Sequence, residues 1–131
     1  IEASVGRFRY YAAMCLFETT GKLDRALPLA EAEPLSFLHY TALAIFHHAL
    51  GKPQEAQQQL DAMLLESGDG AAYQFGQIYA QWGETDKALT WLETAVKIRD
   101  PGIVQAANDR LLNPLRGEPR FQQVLRDAGH L

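Results

Sequence analysis

Three stretches of the chain superpose on their glycines, and this repetition constrains the fold more than any other feature. They run Tyr10-Tyr-Ala-Ala-Met-Cys-Leu-Phe-Glu-Thr-Thr-Gly21-Lys-Leu-Asp-Arg-Ala26, Tyr40-Thr-Ala-Leu-Ala-Ile-Phe-His-His-Ala-Leu-Gly51-Lys-Pro-Gln-Glu-Ala56 and Ala72-Tyr-Gln-Phe-Gly-Gln-Ile-Tyr-Ala-Gln-Trp-Gly83-Glu-Thr-Asp-Lys-Ala88. Each has a residue of aromatic size four before the glycine and an alanine five after it. In the third stretch Ala72, Phe75, Gly76 and Tyr79 recur at i, i+3, i+4 and i+7, which is one face of a helix. Gly83 follows, at a position where a left-handed backbone is cheap only for glycine. Ala88, Leu92, Ala95 and Val96 then mark the buried stripe of a second helix. The second stretch repeats the pattern with Leu43, Ala44 and His47, then Ala56, Leu60, Met63 and Leu64. Pro53 opens its second helix, where the missing N–H costs nothing. Each stretch therefore predicts a helix–turn–helix hairpin.

The third hairpin resembles a tetratricopeptide repeat, with Gly76, Tyr79, Gly83, Ala88, Leu92 and Ala95 at the family's marked positions and the closing proline displaced by one to Pro101. The second matches at Ala44, Gly51, Ala56 and Leu60. It has His47 where tyrosine is usual, with a ring nitrogen expected to bond backbone or water. The first matches at Phe17, Gly21, Ala26 and Ala30. The resemblance covers roughly residues 4 to 100. It implies an all-α fold: a right-handed α-solenoid of three hairpins (about 4–34, 35–67 and 69–99) closed by capping helices, about eight helices in one domain over 1–131. The glycines stand 30 and 32 residues apart, against about 34 in the family. Pro28 falls inside the second helix of the first hairpin and Pro34 ends it early.

After Pro101, the positions Ile103, Val104, Ala107 and Leu111 give one apolar face and predict a capping helix over about 102–112. Pro119 and Gly129 bracket a last helix over about 119–128, with Phe121, Val124 and Leu125 as its stripe. The run Arg99-Asp100-Pro101, then Asn113-Pro-Leu-Arg and Glu118-Pro-Arg-Phe121, resembles the end of multidomain bacterial tetratricopeptide proteins. Those proteins often carry a nucleotide-cyclase, winged-helix or kinase domain in front. This resemblance implies that residue 131 lies near the true C-terminus of a larger signalling protein. The opening at Ile1, in sequence that already looks helical, predicts an excised piece.

A net charge of −4 and a pI of about 5.5 give no general attraction to phosphate backbones or anionic lipid, so neither nucleic acid nor membrane contact is expected. The single cysteine, Cys15, excludes an intrachain disulfide and suits a reducing compartment. No apolar run approaches the roughly 20 residues of a membrane span, and no signal segment opens the chain. The expected location is cytoplasmic, or periplasmic if a span precedes Ile1. His39 and His47 are eight apart, and the adjacent His47 and His48 point in different directions, so a helical i, i+4 metal pair is missing. No metal, cofactor or catalytic constellation is expected. The carboxylates are scattered and read as solvated, Gly68-Asp69-Gly70 as a link between hairpins, and Trp82 and Trp91 as packing residues.

In a hairpin stack the first helix of each hairpin lines the concave side. By resemblance to the family, the partner groove takes Tyr11, Cys15 and Glu18 from the first hairpin, Thr41, Ile45 and His48 from the second, and Tyr73, Gln77 and Gln81 from the third. Members that grip a C-terminal carboxylate use lysine, arginine and asparagine at such places. Tyr11 and Cys15 occupy the two key positions of the first repeat, so the expected ligand is a moderately apolar peptide or helix of a protein partner. The alternative is self-association as a homodimer through Val5, Phe8 and Leu16, the face that an upstream repeat would cover.

Overall fold

The computed structural model describes residues 2–130, with side chains from Arg9 onward. The described residues form seven α-helices and three short 3-10 segments, with no strand among them. The chain folds as two compact units, residues 1–66 and 67–131.

The first unit holds α1 (Glu2–Thr20), α2 (Leu23–Glu31), α3 (Ser36–Ala49) and most of α4 (Pro53–Ser67). Helix α1 packs on α2 and α3. Ala13, Ala26 and Ala30 have no exposed surface, so small side chains occur where these helices pack closely. Phe17 of α1 meets Phe46 of α3 with ring centroids 5.2 Å apart, an aromatic contact worth about 0.5–1.5 kcal/mol beyond its area. Helix α2 spans only nine residues, contains Pro28 and stops before Pro34. The shortened hairpin predicted from the two prolines is present, because Pro28 has no N–H to give the preceding turn.

The second unit runs through a 3-10 turn (Gly68–Ala71), α5 (Ala72–Gln81), α6 (Thr85–Lys97), two further 3-10 segments (Pro101–Gln105 and Arg110–Leu115) and α7 (Pro119–Asp127). Its core gathers Tyr73, Leu89 and Leu92 with Leu112, Leu115, Phe121 and Val124. Side chains of this kind stabilise by about 1.5–3 kcal/mol each when buried. The turn between α5 and α6 shows why glycine recurs. Gly83 has φ +80°, its N–H reaches the Ala80 carbonyl at 3.2 Å and the next N–H, of Glu84, reaches Tyr79 at 2.9 Å. This double closure requires a left-handed residue. Helix α6 ends with the same pair of bonds around Arg99, whose φ is +58° although it is not glycine. On the outer face Arg120 of α7 bonds both carboxylate oxygens of Glu93 of α6, at 2.8 and 3.1 Å.

The structure departs from the sequence expectations in two places. The capping helix over 102–112 is not formed: the chain makes two 3-10 segments instead. Asp100 accepts from the Gly102 N–H at 2.9 Å and Asp109 from the Leu111 N–H at 2.9 Å. Such side-chain turns compete with a continuous helix, and Val104, assigned to the apolar face, is 74% exposed. Secondly, not every carboxylate is solvated. Glu33 and Asp100 are buried. Glu33 accepts from the backbone N–H groups of Tyr10 at 3.1 Å and Leu35 at 2.9 Å. Asp100 accepts from those of Tyr73 at 3.0 Å and Gly102 at 2.9 Å.

Candidate partner-binding surface

In the first unit, Tyr11, Cys15 and Glu18 lie on α1 at helical spacing and all three are exposed. Tyr11 is 54% exposed, its ring edge-on to that of Tyr10 at 5.4 Å. The next three groove positions differ. Thr41 and Ile45 are buried, and His48 is half-buried. The Thr41 hydroxyl donates to the Phe37 carbonyl at 2.6 Å, and the Met63 sulfur of α4 lies 3.7 Å from it. Nearby, the Ser36 hydroxyl donates to Glu66 at 2.6 Å. The Glu66 charge, with some burial and a hydrogen bond to the same carboxylate, raises the Tyr40 hydroxyl above its ordinary value. His47 keeps a buried Nδ1 with no hydrogen-bond partner among the described residues.

In the second unit the groove positions of α5 face the chain's own tail. Tyr73 has no exposed surface, Gln77 is buried and Gln81 is half-buried. The Tyr73 hydroxyl donates to Asp109 Oδ2 at 2.5 Å and the Gln77 amide to the same oxygen at 2.7 Å. The Gln81 amide donates to the Leu111 carbonyl at 2.8 Å. Gly102 lies so close to the Tyr73 ring that an added Cβ would sit 2.7 Å from its Cγ. Trp91 meets Phe75 at a tilt of 41° with ring centroids 4.6 Å apart, and Trp82 meets Tyr79 edge-on at 5.5 Å, so both tryptophans pack.

Asp109 is the residue that sequence reasoning missed at this surface. Its signal was present as an Asp two before a buried leucine, but its partners lie 32 and 36 residues away.

The decisive likeness is in this hairpin. Residues 70–100 match the model of the tetratricopeptide repeat. No curated protein and no solved structure matches the chain. Tetratricopeptide repeats generally mediate protein–protein interaction and are typically non-catalytic. In the matched hairpin Gly76 has a local reason to be glycine: a Cβ there would sit 2.5 Å from Leu92 Cδ2.

Of the self-association residues, Val5 and Phe8 lie outside the described side chains, and Leu16 is half-buried on α1. No helix among the described residues is long and apolar enough to cross a membrane.

Proposed function

We propose that the chain is a protein-interaction module of a larger signalling protein, and that it binds a peptide or helix of its partner along α1. The observation that carries this is the exposure of Tyr11 beside Cys15 and Glu18 on one helical face. Tyrosine joins a large apolar area to a polar tip, loses little entropy on binding and is enriched among the residues that dominate interfaces. The repeat match in residues 70–100 supports the class of function. The nine groove positions include no lysine or arginine, which favours a neutral, moderately apolar ligand over one held by its carboxylate terminus.

The test is capture of partners from an extract of the source cells with the native chain and with Tyr11→Ala, followed by calorimetry on each captured protein. Removing a central tyrosine should weaken binding by about 1–2 kcal/mol, or roughly fivefold to thirtyfold. Retention of every captured protein at unchanged affinity refutes the assignment.

A further inference from the structure

We propose that residues 101–115 act as an intrachain pseudo-ligand that permanently seals the partner-facing stripe of α5, so that an external partner is confined to the first unit. The inference rests on the proposed function and names which part of that surface is open.

The tail is held as a bound peptide would be held. Three stripe positions one helical turn apart each give a side-chain donor to it. Tyr73 and Gln77 converge on one oxygen of Asp109, and Gln81 takes the Leu111 carbonyl. The other Asp109 oxygen accepts the Leu111 N–H at 2.9 Å, which fixes the carboxylate for its two donors. Hydrogen bonds to a charged acceptor are stronger than neutral ones.

Both ends of the segment are anchored. At the start, Asp100 holds the Gly102 N–H while also holding the Tyr73 N–H of α5. At the end, Leu111, Leu112 and Leu115 are buried. Arg116 donates to the Ala107 and Asp109 carbonyls at 2.9 and 2.8 Å and lies over the Phe121 ring. An incoming peptide would have to extract those leucines from the core. A covalently attached competitor also acts at an effective concentration of about millimolar. The stripe is therefore closed by construction, whereas Tyr11, which stands as far before Gly21 as Tyr73 does before Gly83, is exposed.

The experiment uses the full isotope-labelled chain and peptides selected against it from a phage-displayed random library. Without peptide, the Leu111 and Tyr73 amides should exchange as slowly as the interior of α5. At saturating peptide, chemical shifts should move around Tyr11 and Cys15, the side-chain amide signals of Gln77 and Gln81 should stay in place, and Leu111 should keep its protection. Displaced Gln77 and Gln81 signals, or loss of Leu111 protection on binding, overturn the seal while leaving the interaction function standing. Rapid Leu111 exchange in the free chain overturns it with no ligand involved. Peptides that bind equally well to Tyr11→Ala, with the seal intact, refute the α1 site instead. If selection yields no binder, the interaction reading fails, and the confinement of a partner fails with it.

Discussion

Replacing Asp100 by alanine should cost the second unit about 3 kcal/mol. The carboxylate is buried and accepts two backbone N–H groups, of Tyr73 and of Gly102. The Tyr73 N–H belongs to the first turn of α5, directly after the 3-10 turn Gly68–Ala71, and its bond to Asp100 is buried. Removing the carboxylate deletes two hydrogen bonds to a charged acceptor, each worth about 1.5–3 kcal/mol. The Gly102 N–H is only half-buried and recovers part of its loss through water, so the sum lies near the lower end, about 3 kcal/mol. Asp100→Asn keeps one acceptor oxygen and should lose roughly half as much.

Both tryptophans, Trp82 and Trp91, lie in the second unit. Intrinsic fluorescence during urea or thermal unfolding therefore follows the affected unit. For a unit of this size each kcal/mol moves Tm by about 4–8 °C, so the alanine variant should melt more than about 10 °C lower. A shift below about 2 °C, or an asparagine variant as damaged as alanine, would refute the argument that the two backbone bonds carry the effect.

Glu33→Ala should destabilise the first unit by about 1–2 kcal/mol, since it takes the acceptor from the Leu35 N–H and a second, shared acceptor from the Tyr10 N–H inside α1; far-UV circular dichroism under denaturant checks it. Gly76→Ala should cost about 1 kcal/mol in urea titration, because overpacking against fully buried Leu92 exceeds the helix propensity that alanine gains. Arg99→Gly should stabilise by about 1 kcal/mol, since it relieves a left-handed φ of +58°. Glu93 is held below its ordinary value of 4.5, first by its hydrogen bond from Arg120 and then by the Arg120 and Lys97 charges acting against slight burial. The folded carboxyl thus binds its proton less tightly than the unfolded one. Its contribution is complete above the unfolded value and is lost as pH falls through the folded value. In Arg120→Ala the Glu93 carbon signal should titrate near the ordinary value, with only a slight loss of stability for this exposed pair.

The hairpins were legible because their determinants are local. A helix stripe, a glycine four residues after an aromatic and an alanine five further on all lie within one stretch of chain. The tail was not, because its apolar spacing fits a helix while Asp100 and Asp109 divert the backbone into side-chain turns. The open and closed parts of the groove could not be separated either. Tyr11 and Tyr73 occupy equivalent positions, yet one is exposed and the other fully buried. What distinguishes them is a carboxylate 36 residues beyond Tyr73. The buried acids did leave a trace: Glu33-Pro34 and Asp100-Pro101 are both acid–proline pairs that follow the second helix of a hairpin.

That pairing has a physical purpose. Each hairpin ties the end of its second helix to a point on its first, and each uses an acid to do so. Glu33 reaches the Tyr10 N–H, Glu66 the Ser36 hydroxyl and Asp100 the Tyr73 N–H. For α3 and α5 the acid meets the first helical turn, where negative charge also suits the helix dipole. In the third hairpin this closure launches the tail. By holding Tyr73 and Gly102 together, Asp100 sets the segment against the stripe that Asp109 then binds. Closure and seal should therefore be coupled. In Asp100→Ala, exchange of the Leu111 amide, whose own acceptor is untouched, should accelerate by about tenfold or more, the equivalent of roughly 1.4 kcal/mol of coupling. If Leu111 keeps its full protection while Tyr73 loses it, the seal stands on its buried leucines alone and the acid serves only the hairpin.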